Sequence, residues 1–389
     1  MQLTTHNTLP QDGTVGALAG RVWRPALGGP SVVALRGDQV VDISASFPTL
    51  RDLCEAPDPA AALKAAPGEA FVSIADLLAN TPPDSRNPAQ PWLLAPADLQ
   101  PVKAAGVTFA VSMLERVIEE KARGNPAAAE AIRTEIVALV GDDLSRLKPG
   151  SAQAMALKAV LIAQGAWSQY LEVGIGPDAE IFTKASAMSA VGTGFDAGLH
   201  ADSQWNNPEP EVVLAINSKG RIVGAALGND VNLRDIEGRS ALLLGKAKDN
   251  NASAVIGPLL RFFDASFSLD DVRQTTVMLQ VQGEDGFSLE GSSSLSKISR
   301  DPQELVAQLM GPNHQYPDGA LLYLGCMFAP VKDRDTVGGG FTHKVGDIVT
   351  ISAPKLGSLV NRMQRSGDCA PWTFGLADLM RHLARRGWL

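Results

Sequence analysis

Residues 206–235, NNPEPEVVLAINSKGRIVGAALGNDVNLRD, contain two apolar runs separated by a short polar loop at 217–220. Two such runs around a short loop predict a β-hairpin. If the four loop residues join the strands directly, Asp230 falls one pair beyond Glu209 across the ladder. Because side chains alternate between the two faces of a strand, Glu209, Glu211 and Asp230 then share one face at one end of the hairpin.

Three carboxylates at the end of apolar strands raise one another's pKa values unless a cation lies among them. Cross-strand neighbours are close enough for carboxylates of this length to share one ion. An all-oxygen ligand set suits a hard cation, so the group predicts Mg²⁺, with Mn²⁺ or Ca²⁺ as substitutes. The same acids can also form an ordinary solvated strand end, and the geometry alone leaves both interpretations open.

The composition is that of an ordinary globular chain, with 389 residues, 45% hydrophobic and 20% charged. The formal net charge of −8 provides no basic surface for nucleic acid or an anionic membrane. Three cysteines without metal-ligand spacing argue against a disulfide framework and a zinc site. The sequence shows neither a membrane-spanning apolar run nor a secretion signal at its start. We therefore expect a cytoplasmic protein.

The pattern along the chain predicts an α+β fold. Residues 1–100 predict a small N-terminal α/β domain, with a proline-rich linker near 81–91. Residues 101–389 then form a larger β-rich domain that carries the acidic hairpin. Apolar residues at helical spacing predict helices over 109–140, 151–171 and 375–386. Short β-branched runs predict strands over 212–216, 222–227, 276–281, 321–324 and 348–351.

The motifs of the hairpin resemble those of the fumarylacetoacetate hydrolase superfamily. Its metal site is Glu-x-Glu followed by Asn-Asp-Val-x-x-Arg-Asp, and these motifs stand here at 209–211 and 229–235. The resemblance continues through Lys248 and Gly257-Pro258, and it covers roughly residues 105–365. It implies that the β-rich domain is catalytic, that it binds Mg²⁺ or Mn²⁺, and that a 2-oxo acid substrate chelates the metal.

Departures from the superfamily pattern bear on the reaction. Hydrolytic members carry Asn-Tyr-x-x-His-x-x-Glu, whose His–Glu pair activates water, whereas Ser112 replaces the histidine here and Glu115 is kept. A serine hydroxyl is a poor general base near neutral pH. The runs at 234–238, 247–248 and 290–294 are most similar to the 2-keto-3-deoxy-sugar-acid dehydratases. This similarity implies dehydration of 2-keto-3-deoxy-D-pentonate, the D-arabinonate or D-xylonate derivative, to 2,5-dioxopentanoate by enolate formation and loss of the C4 hydroxyl.

The resemblance also suggests roles for residues beyond the three metal ligands Glu209, Glu211 and Asp230. Lys248 is the candidate for the base that removes a C3 proton or for the group that holds the substrate carboxylate. Glu115 is the candidate proton donor to the C4 hydroxyl, and Ser112 is expected to hydrogen-bond a substrate hydroxyl. The candidate substrate-binding residues are Arg116, Lys184, Asn229, Ser292, Ser293 and Cys326.

Two other functions remain open at this point. One is hydrolysis or decarboxylation of an acylpyruvate or 2,4-dioxo acid on the same scaffold, which the missing histidine disfavours. The other is a non-catalytic, metal-dependent binder of 2-oxo acids, against which the retention of Glu115 and Lys248 argues. The superfamily resemblance also implies a homodimer or homotetramer, and we expect neither a nucleic-acid nor a membrane partner.

Overall fold

The computed structural model describes residues 1–123, 125, 131–132, 134, 147–163, 165, 167–328, 330, 332–336 and 340–389, apart from the side chains of residues 110–112, 114 and 119. Two β-sheets with helices packed around them make up the described part of the chain. The predicted α+β fold is therefore confirmed.

The strands follow one another along the whole chain. In chain order they are β1 (Ala17–Arg24), β2 (Gly29–Arg36), β3 (Gln39–Asp42), β4 (Glu69–Ser73), β5 (Trp92–Leu94), β6 (Val102–Gly106), β7 (Glu180–Ala185), β8 (Asp196–Leu199), β9 (Pro210–Ile216), β10 (Ile222–Asp230), β11 (Ala254–Phe262), β12 (Thr276–Gln282), β13 (Ser288–Ser294), β14 (Ala320–Tyr323), β15 (Ile348–Ala353) and β16 (Gly357–Arg365). Each of the five predicted strands lies within, or within one residue of, one of these elements.

The larger sheet has 11 strands in the order β4-β3-β2-β1-β11-β10-β9-β14-β6-β7, with β5 beside β1. The smaller sheet has five strands in the order β13-β12-β15-β16-β8. Pairing between β1 and β11 joins the N-terminal strands to the acidic hairpin in one continuous sheet. The predicted boundary near residue 100 thus falls inside this sheet, and the division into two domains stays a prediction. The predicted linker 81–91 contains one short 3₁₀ turn, Pro83–Ser85.

The helices are mostly short. In chain order they are α1 (Thr5–Thr8), α2 (Leu50–Cys54), α3 (Pro59–Ala65), α4 (Ile74–Ala79), α5 (Ala110–Lys121), α6 (Ala152–Ala163), α7 (Gln169–Ile175), α8 (Arg234–Glu237), α9 (Leu244–Lys248), α10 (Leu269–Gln274), α11 (Pro302–Leu309) and α12 (Leu376–Arg385). Among the described residues, none of these helices is both long and apolar enough to cross a bilayer.

The predicted helical segments correspond to helices of the structure. The C-terminal prediction corresponds to α12, and the prediction over 109–140 begins as α5, beyond which it falls largely outside the described residues. The segment 151–171 contains two separate helices, α6 and the start of α7. Ser168 has extended backbone angles, and its side chain accepts a hydrogen bond from the amide of Tyr170, so it caps a new helix.

Strand β9 is buried on both faces, and this burial fixes where the acidic residues lie. Val212 and Leu214 pack in the apolar core that the second sheet helps to form. Val213 and Ala215 pack on the opposite face, in the core that contains helices α2 and α3. Glu209 and Glu211 have the same parity as Val213, so they lie on the face away from the second sheet.

Gly228 in β10 provides a test of how tightly this hairpin is packed. A Cβ at Gly228 would lie 2.3 Å from Cε1 of Tyr323 and 2.6 Å from Cγ2 of Val213. The Tyr323 hydroxyl donates to the Val255 carbonyl at 2.6 Å, which holds the ring in place. We expect Gly228→Ala to lower the free energy of unfolding by about 1–3 kcal/mol through overpacking, measured by urea denaturation.

Gly245→Ala is the matched control, because no atom lies within 4 Å of its Cβ position. Alanine also favours a helix over glycine, so this change should leave the free energy of unfolding unchanged or raise it. Equal stability of the two variants would contradict the packing described for Gly228.

Candidate active site

The β9–β10 hairpin brings the three predicted metal ligands together. The amide of Asp230 donates to the carbonyl of Glu209 at 3.1 Å, so these two residues lie directly opposite each other. The predicted register is wrong by two residues, because the loop extends to Arg221 and β10 carries a bulge near its start. A shift of two residues keeps every side chain on its face. The acids therefore still converge.

The three carboxylates form one compact group in the interior. Glu209 and Glu211 are 1% exposed and Asp230 is 2% exposed. One carboxylate oxygen from each lies within 4.8 Å of the others. In the described part of the chain, no other group of three or more His, Cys, Asp or Glu side chains is arranged to hold a metal ion.

Three cationic side chains surround this group. The Lys248 Nζ lies 2.5 Å from Oε2 of Glu209 and 3.0 Å from Oδ2 of Asp230. Lys184 reaches Asp230 from the other side, with Nζ 2.8 Å from Oδ1. Arg116, on α5, forms an ion pair with Glu209. Strand β7 at the sheet edge, the β9–β10 hairpin, helix α5 and helix α9 thus all contribute charged side chains to one site.

The pKa values show how these charges balance. Burial alone would raise the pKa of Asp230, but Lys184 and Lys248 outweigh it and hold the pKa below its usual value. Burial, Asp230 and Glu209 raise the pKa of Glu211 well above its usual value. Burial opposes the charge of Lys248, yet Asp230 and Glu209 hold its pKa well above the ordinary lysine value. Lys248 is therefore a stable cation in this arrangement, which favours anion binding over its use as a base.

Lys184 contacts the carboxylate group from the protein interior. It is fully buried, and its ammonium also donates to the carbonyls of Val231, at 3.2 Å, and Lys248. Burial lowers its pKa, an effect that Asp230 partly offsets. Lys184 therefore contacts Asp230 and backbone carbonyls, and its predicted role in substrate binding stays a prediction.

The three carboxylates, Arg116 and Lys248 line a small cavity, the carboxylate cavity. Glu180 and Glu237, two acids that the sequence did not single out, line it as well. Oε2 of Glu237 lies 3.1 Å from Nη1 of Arg116. Glu180 begins β7, and its carboxyl occupies the space that a Cβ at Gly106 would fill. Burial and the neighbouring Glu237 raise the pKa of Glu180 to about 7. Glu180 is therefore able to exchange protons near neutral pH.

Sequence reasoning missed Glu180 because it belongs to none of the motifs that resemble the superfamily. The available signal was strand alternation, since Glu180 and Lys184 are four residues apart in one β-like run and so share a face. Glu237 lies in the quoted run 234–238 and received no role there. Both residues reach the site only through the fold.

Cys326 is a further predicted residue at the cavity, whereas Asn229 is not among the residues that line it. Cys326 lines it, and burial raises the pKa of its thiol, which is therefore neutral. Asn229 is fully buried, and its Oδ1 accepts a hydrogen bond from the amide of Glu209 at 3.1 Å. Its Nδ2 has no hydrogen-bond partner among the described residues. The amide of Gly325 donates to Oε2 of Glu211 at 2.6 Å, which orients that carboxylate.

The remaining predicted residues are not brought to the cavity wall. Glu115 is buried on α5 beside Arg116 but does not line the cavity. The side chain of Ser112 lies outside the described part of the chain. Ser292 and Ser293 lie on β13 in the second sheet, where Ser292 is exposed. Their roles stay predictions.

Solved structures share this architecture over 90% of the chain. A 2-keto-3-deoxy-D-arabinonate dehydratase in its apo form aligns with a TM-score of 0.62 at 21% identity, over 99% of that chain. A 2-keto-3-deoxy-D-arabinonate dehydratase complexed with magnesium and 2,5-dioxopentanoate aligns with a TM-score of 0.61 at 21% identity, over 99% of its chain. Fumarylacetoacetate hydrolase from Exiguobacterium antarcticum aligns with a TM-score of 0.52 at 14% identity, again over 99% of its chain.

The chain shares the fold of these solved structures, a fumarylacetoacetate hydrolase among them. The fold expected from the hairpin motifs is thereby confirmed over 90% of the chain.

Two curated sequence relatives match a smaller part of the chain. A 2-dehydro-3-deoxy-D-arabinonate dehydratase of Saccharolobus solfataricus is 30% identical over 189 residues, which are 48% of this chain and 59% of the relative. A Haloferax volcanii protein named "Probable 2-keto-3-deoxyxylonate dehydratase" is 28% identical over 192 residues, 49% of this chain and 62% of the relative. The chain thus spans about three fifths of the length of both relatives. No model of a known protein family matches it.

The site fits a hard divalent cation on its own chemistry, because buried carboxylate oxygens are the ligands such ions prefer. We expect Mn²⁺ to bind the full chain at one site in isothermal titration calorimetry. Asp230→Asn and Glu211→Gln should each abolish this binding, since each removes one ligand charge from the group.

Asp202→Asn is the control, because this acid is exposed and pairs only with surface groups. Binding that persists in Asp230→Asn, or that is lost in Asp202→Asn, would contradict the assignment of the carboxylate group as the cation site.

Proposed function

We propose that this protein catalyses the Mg²⁺-dependent dehydration of a 2-keto-3-deoxy-D-pentonate to 2,5-dioxopentanoate. The observation that carries the proposal is the buried group of Glu209, Glu211 and Asp230, with Lys248 and Arg116 beside it. The curated relatives named as dehydratases support it. So does the solved dehydratase of the same fold that is complexed with magnesium and 2,5-dioxopentanoate.

The three carboxylates would hold the metal, which supplies Lewis acidity that polarises the 2-oxo group and acidifies the C3 protons. Lys248 bridges Glu209 and Asp230 in the site without metal. We assign to it the binding of the substrate carboxylate once the metal has displaced it from between these two acids. Arg116 holds Glu209 and Glu237 in place, and Asn229 stays a candidate for a substrate contact.

The pKa of Glu180, raised to about 7, suits proton transfer near neutral pH. We assign the proton transfers to Glu180. As a carboxylate it takes a proton from C3, and as the resulting acid it returns that proton to the departing C4 hydroxyl, so that water leaves. A proton then moves from C5 to C3, which gives the enol at C4–C5. This enol loses its hydroxyl proton and gains a proton at C4, and the 2,5-dioxo product results. No redox cofactor or added water is needed.

The other roles remain as the sequence suggests them. Glu115 is the competing candidate for the proton donor, and Ser112, Ser292, Ser293 and Cys326 are candidates for contacts with substrate hydroxyls. Assembly as a homodimer or homotetramer and a cytoplasmic location are proposals of the same kind. The latter is supported by the three cysteines, none of which forms a disulfide.

Turnover is the direct test of the reaction. The purified protein with Mg²⁺ and 2-keto-3-deoxy-D-arabinonate should form 2,5-dioxopentanoate, measured as NAD(P)H production by a coupled dioxopentanoate dehydrogenase. EDTA should abolish the signal, and Mn²⁺ should restore it. Pyruvate release from an acylpyruvate, without any dehydration under the same conditions, would contradict the proposal and favour the hydrolase alternative.

The pH dependence tests the role of Glu180. Because the carboxylate form starts the reaction and its pKa is raised to about 7, kcat/KM should fall about tenfold per pH unit as the pH is lowered well below 7. Glu180→Gln should lower kcat by about 10²–10⁴-fold and abolish this pH limb, with KM changed little.

Glu115→Gln is the matched comparison, since Glu115 is buried nearby but does not line the cavity. A kcat unchanged in Glu180→Gln and strongly lowered in Glu115→Gln would transfer the proton role to Glu115 and overturn the assignment to Glu180.

A further inference from the structure

A second cavity, of about 310 Å³, lies between β1, β5, residues 188–195 and the C-terminal segment 370–374. None of the residues that line it also lines the carboxylate cavity. A cavity of this size, mostly apolar with a few polar groups, is typical of a small-molecule site. Because the two cavities share no lining residue, this cavity is a separate site from the one proposed for dehydration.

Aromatic rings dominate its walls. Only 5% of the chain is aromatic and it has six tryptophans, yet three of them line this one cavity. The rings of Trp23 and Trp92 stack with centroids 5.8 Å apart, and Phe374 meets Trp23 edge to face at 5.1 Å. Trp372, 48% exposed, lies at the rim. These surfaces suit a flat, unsaturated ring.

Arg86 adds a positive charge to this aromatic wall. Its guanidinium carbon lies 4.7 Å from the ring centroid of Trp92 and 4.7 Å from that of Phe195. Nε and Nη2 donate to the carbonyl of Thr81, whereas Nη1 has no hydrogen-bond partner among the described residues. Burial lowers the pKa of Arg86 to about 10, so it remains a cation at neutral pH.

No carboxylate in the described part of the chain forms an ion pair with Arg86. Half-buried arginines normally find an acidic partner, because the planar guanidinium matches a carboxylate in geometry and charge. This cavity therefore offers a stacking surface and one uncompensated positive charge. The same charge repels the quaternary ammonium ligands that aromatic cages otherwise suit.

We propose that this cavity is a binding site for a small planar aromatic anion of the benzoate class. The ring stacks among Trp23, Trp92, Phe374 and Trp372, and the carboxylate pairs with Arg86. The site is independent of the metal and of the proposed dehydration.

Calorimetric titration of the full-length, EDTA-treated protein with benzoate tests the proposal. Removal of metal excludes binding of the carboxylate to a metal centre. Benzoate should bind saturably at one site and quench tryptophan fluorescence. Benzamide, which lacks the charge, and cyclohexanecarboxylate, which lacks the aromatic ring, should each bind at least about tenfold more weakly. Absence of saturable benzoate binding, or equal affinity for all three probes, would overturn the proposal.

Variants locate the site. Arg86→Gln should weaken benzoate binding at least about tenfold, as expected for loss of a charged hydrogen bond. Trp372→Ala should weaken it as well, and its exposed ring makes this variant decisive if Arg86→Gln does not fold. Arg381→Gln, 68% exposed on α12, is the charge-matched control and should bind as the parent does. Benzoate binding that is unchanged in both cavity variants would place the ligand elsewhere and contradict the proposal.

Discussion

Burying carboxylates in the interior of a sheet is the constraint on which the rest of this site depends. Glu209, Glu211 and Asp230 extend from two apolar strands into a region with almost no solvent exposure. An ionised carboxylate in such a place is costly unless a positive charge and hydrogen bonds compensate it. The positions of Lys184, Lys248 and Arg116 follow from that requirement.

The charges around this group do not cancel completely. Five carboxyl groups meet there, including Glu180 and Glu237, against three cationic side chains. At full ionisation the difference is two negative charges, which is the charge of one divalent cation. Burial, and after it the neighbouring carboxylates, raise the pKa values of Glu211 and Glu180. Protonation is thus a second way to relieve the excess of negative charge that a divalent cation would balance.

The hairpin could be predicted from sequence because its information is local. Strand alternation placed Glu209, Glu211 and Asp230 on one face, and that placement survived a register error of two residues because two is the period of a strand. The superfamily fold followed from the motifs of the same hairpin. Helix α5 and the C-terminal helix α12 were also predicted from local apolar spacing.

Non-local parts of the site were harder to predict. Glu180 reaches the cavity only because β7 pairs with β6, and β6 itself pairs with β14 beside the hairpin. Lys184 was expected at the substrate, but complete burial directs its ammonium to Asp230 and to backbone carbonyls. The aromatic cavity joins chain segments as far apart as Trp23 and Phe374. Such contacts between distant segments depend on the whole sheet and leave no signal at any fixed sequence spacing.

Anomalous diffraction from crystals grown with Mn²⁺ tests whether these buried carboxylates form a divalent cation site. We expect one strong anomalous peak within bonding distance of oxygens of Glu209, Glu211 and Asp230. The Lys248 ammonium should be displaced from between Glu209 and Asp230. A map without a peak there, with Lys248 still bridging the two carboxylates at saturating Mn²⁺, would contradict the assignment of a cation site.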